Sequence, residues 1–244
     1  MNAQIILTPS LNPESINMTS TKLILKENKG CDYTKQTKSR RNYIPALALY
    51  CSGPLTKGNT KLDKSMLIFD LLAVSTCLNC RECKGFCYAM KAQRQYPGTY
   101  NRRAILTWLA KYDLITLESM IYSQLMSTTK KIVRIHSSGD FFSQAYVDMW
   151  TRIVKRFPGI RFYTYTKVDN LLDLASLKAC QNFNCVESML PDGSINFGSL
   201  EYIREKAKQF KAAICPYGIS KHAVHCGKEC SACLTKKNVV FLVH

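Results

Sequence analysis

The sequence predicts an α/β fold in which parallel strands and crossover helices form a partial or distorted (β/α) barrel carrying cysteine-rich metal loops. Three observations lead there. From Lys131 onward, strand-type and helix-type patterns alternate, the arrangement that gives a parallel sheet with crossover helices. Gly, Pro and Ser punctuate the chain between these segments. Hydrophobic residues make up 46% of the 244, enough for a packed core.

Residues 1–42, rich in Asn, Ser, Thr and Lys without a sustained period, read as a basic, irregular segment, and residues 43–244 as a single α/β domain. Tyr43–Tyr50 and Ser65–Val74 are short apolar runs bounded by Ser-Gly-Pro and Lys-Gly-Asn turns, and read as strands. The second delivers the chain into a cysteine loop. Tyr88–Arg94 reads as a short helix stopped by Pro97-Gly98, and a longer helical region follows from Arg102 to Met126, broken near Tyr112-Asp113. Three strand and helix pairs come next: Lys131–His136 with Gln144–Phe157, Arg161–Thr166 with Asp169–Cys180, and Asn184–Met189 with Ser199–Ala212. No apolar run is long enough to cross a bilayer, since even Met66–Val74 is interrupted by Asp70. Met1–Ser10 lacks a secretory pattern, so a cytoplasmic location with reduced thiols is expected.

The strongest chemical signal is Cys77, Cys80, Cys83 and Cys87, spaced C-x2-C-x2-C-x3-C as in the run that wraps a 4Fe-4S cluster in bacterial ferredoxins. Paired, well separated C-x2-C knuckles would suit zinc better, whereas one tight loop favours an iron–sulfur cluster. A zinc centre holding the loop is the alternative. Were only three of the four cysteines ligands, one iron would be open to substrate or to the amino and carboxylate groups of S-adenosylmethionine. A second set lies in the knuckle segment 215–233: Cys215, Cys226, Cys230 and Cys233 can complete four thiolates, and His222 or His225 could replace one. Zinc is expected either as the alternative to the cluster or as the metal of this second site, and a composite site joining Cys80 and Cys83 to Cys230 and Cys233 is a further pairing. Cys31, Cys51, Cys180 and Cys185 read as ordinary thiols.

Strand ends in such folds gather chemistry. His136-Ser137-Ser138-Gly139-Asp140 offers a base, hydroxyls and a close backbone approach together, so His136 and Asp140 are candidate catalytic residues and Ser138 and Gly139 candidate cofactor-binding residues. Asp140 could instead turn the loop or cap the next helix, with Ser143 competing for the cap. Lys167 ends the strand in which Tyr163 and Tyr165 alternate, and is a third catalytic candidate.

Charge points to a partner. Lys and Arg number 34 against 17 Asp and Glu, a formal net charge of +17. Between positions 22 and 64, Lys22, Lys26, Lys29, Lys35, Lys38, Arg40, Arg41, Lys57, Lys61 and Lys64 face only Glu27, Asp32 and Asp63, with Tyr33, Tyr43 and Tyr50 interleaved. Such a surface suits the phosphates of nucleic acid or a nucleotide; a solvated basic arm is the plainer alternative.

Several ordered pieces together resemble the phage gene product 88 family from about Leu55 to the C-terminus: Lys57-Gly58-Asn59-Thr60-Lys61, Thr76-Cys77 followed by Cys83 and Cys87-Tyr88-Ala89, Arg134-Ile135-His136-Ser137-Ser138-Gly139-Asp140-Phe141-Phe142, Phe162-Tyr163-Thr164-Tyr165-Thr166-Lys167, and Cys215-Pro216 with its knuckle. The resemblance implies a protein of mobile genetic elements and carries no activity with it. Leu78-Asn79-Cys80 stands where that family usually has a Pro-Gly-Ala type loop, which favours Cys77, Cys83 and Cys87 as the essential trio. More loosely, a cysteine loop after an early strand and a Gly-acid motif at a later strand end look like the layout of radical S-adenosylmethionine enzymes. Their C-x3-C-x2-C spacing is absent, and Cys80, Cys83 and Cys87 show its reverse. The function expected is therefore an iron–sulfur protein acting on nucleic acid, a nucleotide or a modified base. The competing expectation is a non-enzymatic, zinc-stabilised protein that binds nucleic acid or a host partner.

Overall fold

The structure, a computed structural model, describes residues 53–59, 62–80, 84–168, 170–187, 199–216, 226, 230–235 and 238–240. The basic segment and the expected strand Tyr43–Tyr50 lie outside these, as do Cys31, Cys51, Cys83, His222 and His225. Five strands form the main sheet in sequence order: β1 (Thr56–Lys57), β2 (Met66–Phe69), β3 (Ile132–Ile135), β4 (Arg161–Thr166) and β5 (Phe183–Glu187). The first pair is antiparallel and the remaining three pairs are parallel. Among the described residues the sheet is open, with β1 and β5 as its edges. What stands is a mixed α/β fold with a mostly parallel sheet and crossover helices.

Strand alternation gives this sheet two different faces. Leu67, Phe69, Val133, Ile135, Phe162 and Phe183 point to one side and join the main core. Helices α2 (Pro97–Tyr112), α3 (Leu114–Ser127), α4 (Gln144–Arg156) and α5 (Ala175–Lys178) supply the other half of that core, with Leu106, Ile121, Trp150 and Leu177 among its buried members. Met66, Ile68 and Tyr163 point the opposite way and pack with Leu62, Cys226, Cys233, Leu234 and Val239. The register explains the grouping: Ile68, Arg134, Tyr163 and Asn184 form one row across β2 to β5 on the side opposite the helices. Strand β2 is buried at all four positions because both faces are covered.

Two shorter pieces complete the described chain. Helix α1 (Tyr88–Gln95) follows the cysteine loop, and α6 (Leu200–Gln209) packs against a two-stranded parallel sheet of β6 (Ala213–Ile214) and β7 (Val239–Val240). Among the described residues, no helix is long and apolar enough to cross a membrane.

Several boundaries differ from the sequence expectation for local reasons. Pro97 does not only follow a helix that has ended; it occupies the first turn of α2, where its missing N–H costs nothing. The break near Tyr112 is real, and Asp113 makes it by accepting from Thr116 N at 3.1 Å at the start of α3. Helix α5 has one turn, not the whole span expected from Asp169 to Cys180. The Asp173 carboxylate accepts from Ala175 N at 2.8 Å, so the helix begins late.

Candidate metal–thiolate sites around the parallel sheet

The chain leaves β2 at Asp70, whose carboxylate pairs with the Arg103 guanidinium of α2 at 3.1 Å and accepts from Ser137 Oγ at 2.6 Å. Arg103 also donates to Ala89 O of α1 at 3.2 Å. The turn from Leu71 to Thr76 has its backbone satisfied from neighbouring elements. Leu71 N donates to Ser138 O, Leu72 N to Thr107 Oγ1 and Ala73 N to Gln93 Oε1, all between 2.8 and 2.9 Å. Val74 holds a left-handed φ of 70°, which a β-branched residue adopts only at a cost. The cysteine loop therefore leaves a rigid base.

That loop is tied to the carboxyl ends of two further strands. Asn79 Nδ2 donates to Lys167 O at 2.6 Å, at the end of β4, and the Tyr88 hydroxyl donates to Ser137 O just after β3. Cys77, Cys80 and Cys87 are each partly exposed, and none is in a disulfide. The expected position of the loop at the strand ends thus agrees with its contacts.

The strand-end motif is put to use differently. Asp140 is buried, and both its oxygens are engaged by the protein: Oδ1 accepts from Phe141 N at 2.8 Å and Thr166 Oγ1 at 2.6 Å, and Oδ2 from Lys167 N at 2.9 Å. Burial raises its carboxyl, and these three hydrogen bonds work against the rise. Asp140 so fastens the loop after β3 to the end of β4, and Ser143 caps α4 by accepting from Tyr146 N. His136 turns into the core, between Phe69, Phe141 and Tyr146, sharing a 2.8 Å hydrogen bond with the Tyr146 hydroxyl. Burial, and next the Arg134 charge, lower its pKa to about 3, so it stays neutral. Ser138 Oγ donates to Leu71 O at 2.8 Å. Gly139 (φ 80°) lies against the turn before the cysteine loop: a Cβ there would meet Thr76 Oγ1 at 2.6 Å and Leu71 Cβ at 2.7 Å. Lys167 is half-buried and shares its backbone with both Asp140 and Asn79.

Of the C-terminal cysteines, Cys226 and Cys233 pack on the sheet face opposite the helices. The Cys226 backbone pairs with those of Leu62 and Cys230 as isolated parallel β-bridges, and Asp63 N donates to Cys226 O at 3.1 Å. Cys233 begins the centre of this patch: Tyr165 donates its hydroxyl to the Cys233 sulfur at 2.5 Å, and Asn184 Nδ2 donates to Cys233 O at 2.6 Å. Burial pushes the Cys233 thiol up. The Tyr165 hydrogen bond opposes this, Cys215 and Cys230 add to it, and the Arg134 charge opposes it. Cys226 thus packs in one cluster with Cys233, and Cys215 and Cys230 lie within electrostatic reach of Cys233. Among the described residues, no group of three or more His, Cys, Asp or Glu is gathered as a ready-made metal site. Cys180 and Cys185 belong to the helix-side core, as ordinary thiols do.

Arg134 was not legible as a site residue, although its signal was there: a lone cation inside the strand Ile-Val-Arg-Ile. Its guanidinium carbon lies 5.2 Å from the Tyr165 ring centre and 6.0 Å from that of Tyr163. Its Nε is buried without a hydrogen-bond partner, and it forms no ion pair among the described residues. Arg134 is partly exposed and shares a side-chain hydrogen bond with Tyr163; burial works against its charge, but Tyr88, Tyr163, Tyr165 and Asp70 outweigh this and raise its pKa. Asp70, the carboxylate nearest in effect, is already committed to Arg103 and Ser137.

A mostly parallel α/β scaffold with the Cys77, Cys80 and Cys87 loop tied to its strand ends and Cys226 and Cys233 on the sheet face opposite the helices is the class of protein these contacts define. The chain belongs to the Gene product 88 family, whose profile matches residues 32–241. It is similar to the Gene 88 protein of Mycobacterium phage D29, at 28% identity over 124 residues, covering 45% of this chain and 50% of that protein. It is also similar to the Gene 88 protein of Mycobacterium phage L5, at 28% identity over 192 residues, covering 65% of this chain and 78% of the relative. The chain thus spans half the length of the D29 protein. No solved structure matches it.

Proposed function

We propose that the chain is an iron–sulfur enzyme acting on nucleic acid, a nucleotide or a modified base, with its cluster on the Cys77, Cys80, Cys83 and Cys87 loop. In this reading Cys215, Cys226, Cys230 and Cys233 hold a second metal, zinc or iron. The observation that carries it is the anchoring of the loop, through Asn79 to Lys167 O and through Tyr88 to Ser137 O, at the carboxyl ends of β3 and β4. Chemistry gathers at those ends in parallel α/β folds. A dense, partly exposed thiol set on a rigid base suits a cluster with its thiolates supplied by one loop. When bound, the cluster supplies electron transfer or, at an iron left open by the protein, a place for substrate or S-adenosylmethionine. Around it, Lys167 presents a cation at the strand end, while Asp140, His136, Ser138 and Gly139 fix the shape of that end. The sequential strand order, with helices α2 to α5 on one face, further supports reading the sheet as a partial barrel. The basic segment supplies attraction for phosphates, and the site of action is the cytoplasm.

A non-catalytic, zinc-stabilised binding protein is the competing reading. It is favoured by Asp140, whose two oxygens are both occupied by protein donors. Anaerobic purification of the full chain separates the two. The iron–sulfur reading expects a brown protein with iron and inorganic sulfide, bleached in Cys83→Ala or Cys87→Ala. A colourless preparation holding zinc alone would overturn it.

A further inference from the structure

We infer that the exposed strip of α1 beside the cysteine loop is a platform for single-stranded nucleic acid, on which Tyr88 and Tyr96 stack with bases while Lys84, Lys91 and Arg94 meet phosphates. The inference rests on the proposed nucleic-acid partner and names its form and the surface that receives it.

The strip begins as a bias in the chain. From Lys84 to Tyr112 there is no Asp or Glu, against six Lys or Arg. Arg102 and Arg103 of this stretch turn inward, to Gly53 O at 2.6 Å and to Asp70 at 3.1 Å. Lys84, Lys91 and Arg94 stay exposed and form no ion pair among the described residues. Helices of this protein that face only water mix their signs. On α6, Glu201 and Glu205 alternate with Arg204, Lys206 and Lys208, and Arg152 of α4 pairs with Glu118 of α3. A face of one sign with unpaired cations is instead complementary to a polyanion.

Aromatic rings decide which polyanion. Among the described residues the exposed tyrosines are Tyr88, Tyr96 and Tyr112, and all three fall in the acid-free stretch. Tyr88 is 55% exposed although its hydroxyl donates to Ser137 O, so it is fixed to the end of β3 without being covered. Tyr96 is 54% exposed and closes α1, its N–H donating to Ala92 O at 2.9 Å. Helical spacing sets Lys91 one turn after Tyr88 and Arg94 one turn after Lys91, on the side away from the buried Ala89 and Gln93. The two tyrosines stand about 12 Å apart along the axis, room for more than one nucleotide. Base faces are open to such rings in a single strand and closed in a duplex, where each base is stacked on its neighbours. Cys87 is the N-cap of α1, so a strand held here lies beside the cysteine loop.

Fluorescence anisotropy of the full-length chain with a labelled oligothymidine, and with a duplex of the same length, tests this. Tyr96→Ala is expected to weaken strand binding roughly 5- to 100-fold, the usual effect of losing one base stack, and to leave duplex binding unchanged. Tyr96→Phe, which keeps the ring, is expected to bind the strand as the wild type does. Replacing Lys91 and Arg94 together by Gln is expected to lower the slope of log affinity against log salt on the strand by about 1.4. Wild-type strand affinity in Tyr96→Ala, or an unmoved slope in the double variant, overturns the inference and leaves the strip to an acidic protein partner. An equal loss on strand and duplex in Tyr96→Ala overturns it as well, in favour of contact without stacking. A wild-type chain that binds neither oligonucleotide removes the proposed nucleic-acid partner and the inference with it, a result distinct from the others.

Discussion

His136 is a neutral imidazole at the end of β3, held in a left-handed conformation at φ 63° with its ring among Phe69, Phe141 and Tyr146. In the unfolded chain an imidazole binds its proton near pH 6.5, whereas in the fold burial and the Arg134 charge lower its pKa to about 3. Acid therefore protonates the unfolded chain first. The stability contributed by a neutral His136 is complete above about pH 6.5 and is lost progressively as pH falls from there towards about 3. The slope from this one residue is at most about 1.4 kcal/mol per pH unit. Urea unfolding at a series of pH values between about 7 and 5 should show the wild-type slope exceeding that of His136→Asn, a residue that tolerates positive φ, by up to this amount. Equal slopes would assign the acid sensitivity to other groups. At the same scale, the strand-end motif shows where a sequence stops being readable. Gly139-Asp140 after a strand looks the same whether it receives a ligand or receives the backbone of its own chain. Which one holds depends on Thr76, Thr166 and Lys167, which arrive from elsewhere in the sequence.

At the scale of elements, the strands that read clearly are those whose alternation or apolar run is dictated by burial. Arg161–Thr166 is β4 to the residue, because Phe162 and Tyr163 must serve opposite faces. The capping candidate Ser143 was legible for a similarly local reason, and it accepts from Tyr146 N at 3.4 Å at the start of α4. The short α5 was not, since a helical pattern from Asp169 to Cys180 contains nothing that announces Gln144 on another helix bonding to Asp173 N and O, each at 3.0 Å. The junction between α2 and α3 gives a quantitative check. Asp113 Oδ1 accepts from Thr116 N, so Asp113→Ala removes the cap that lets one helical run become two helices. A loss of about 1 kcal/mol in unfolding free energy is expected, with Asp113→Asn close to wild type because the accepting oxygen is kept. A full loss in Asp113→Asn would mean that charge, not capping, matters there.

At the scale of the whole molecule, the charge of +17 constrains function without reference to any pocket. The proposed metal–thiolate centres would take some of it back, since a divalent ion in four thiolates is worth about −2. A large positive excess would survive two such centres. Excess positive charge raises attraction to polyphosphates and lets it be measured through salt, because each neutralised phosphate releases counterions. The proposed nucleic-acid partner therefore makes a numerical demand. If Lys38, Arg40 and Arg41 each contact one phosphate of duplex DNA, replacing all three by Gln should lower the slope of log affinity against log salt by about 2.7. Affinity should weaken across unrelated sequences alike, because phosphate contacts position a protein without reading bases. Fluorescence anisotropy with two unrelated duplexes and a single strand, from low to near-physiological salt, measures both. An unchanged slope removes this patch from the interface and leaves the basic residues as a solvated arm. The triple variant should leave iron, zinc and sulfide content unaltered, since none of its residues is a proposed ligand. Retained cofactors with a reduced slope would separate where the molecule is attracted from where it reacts.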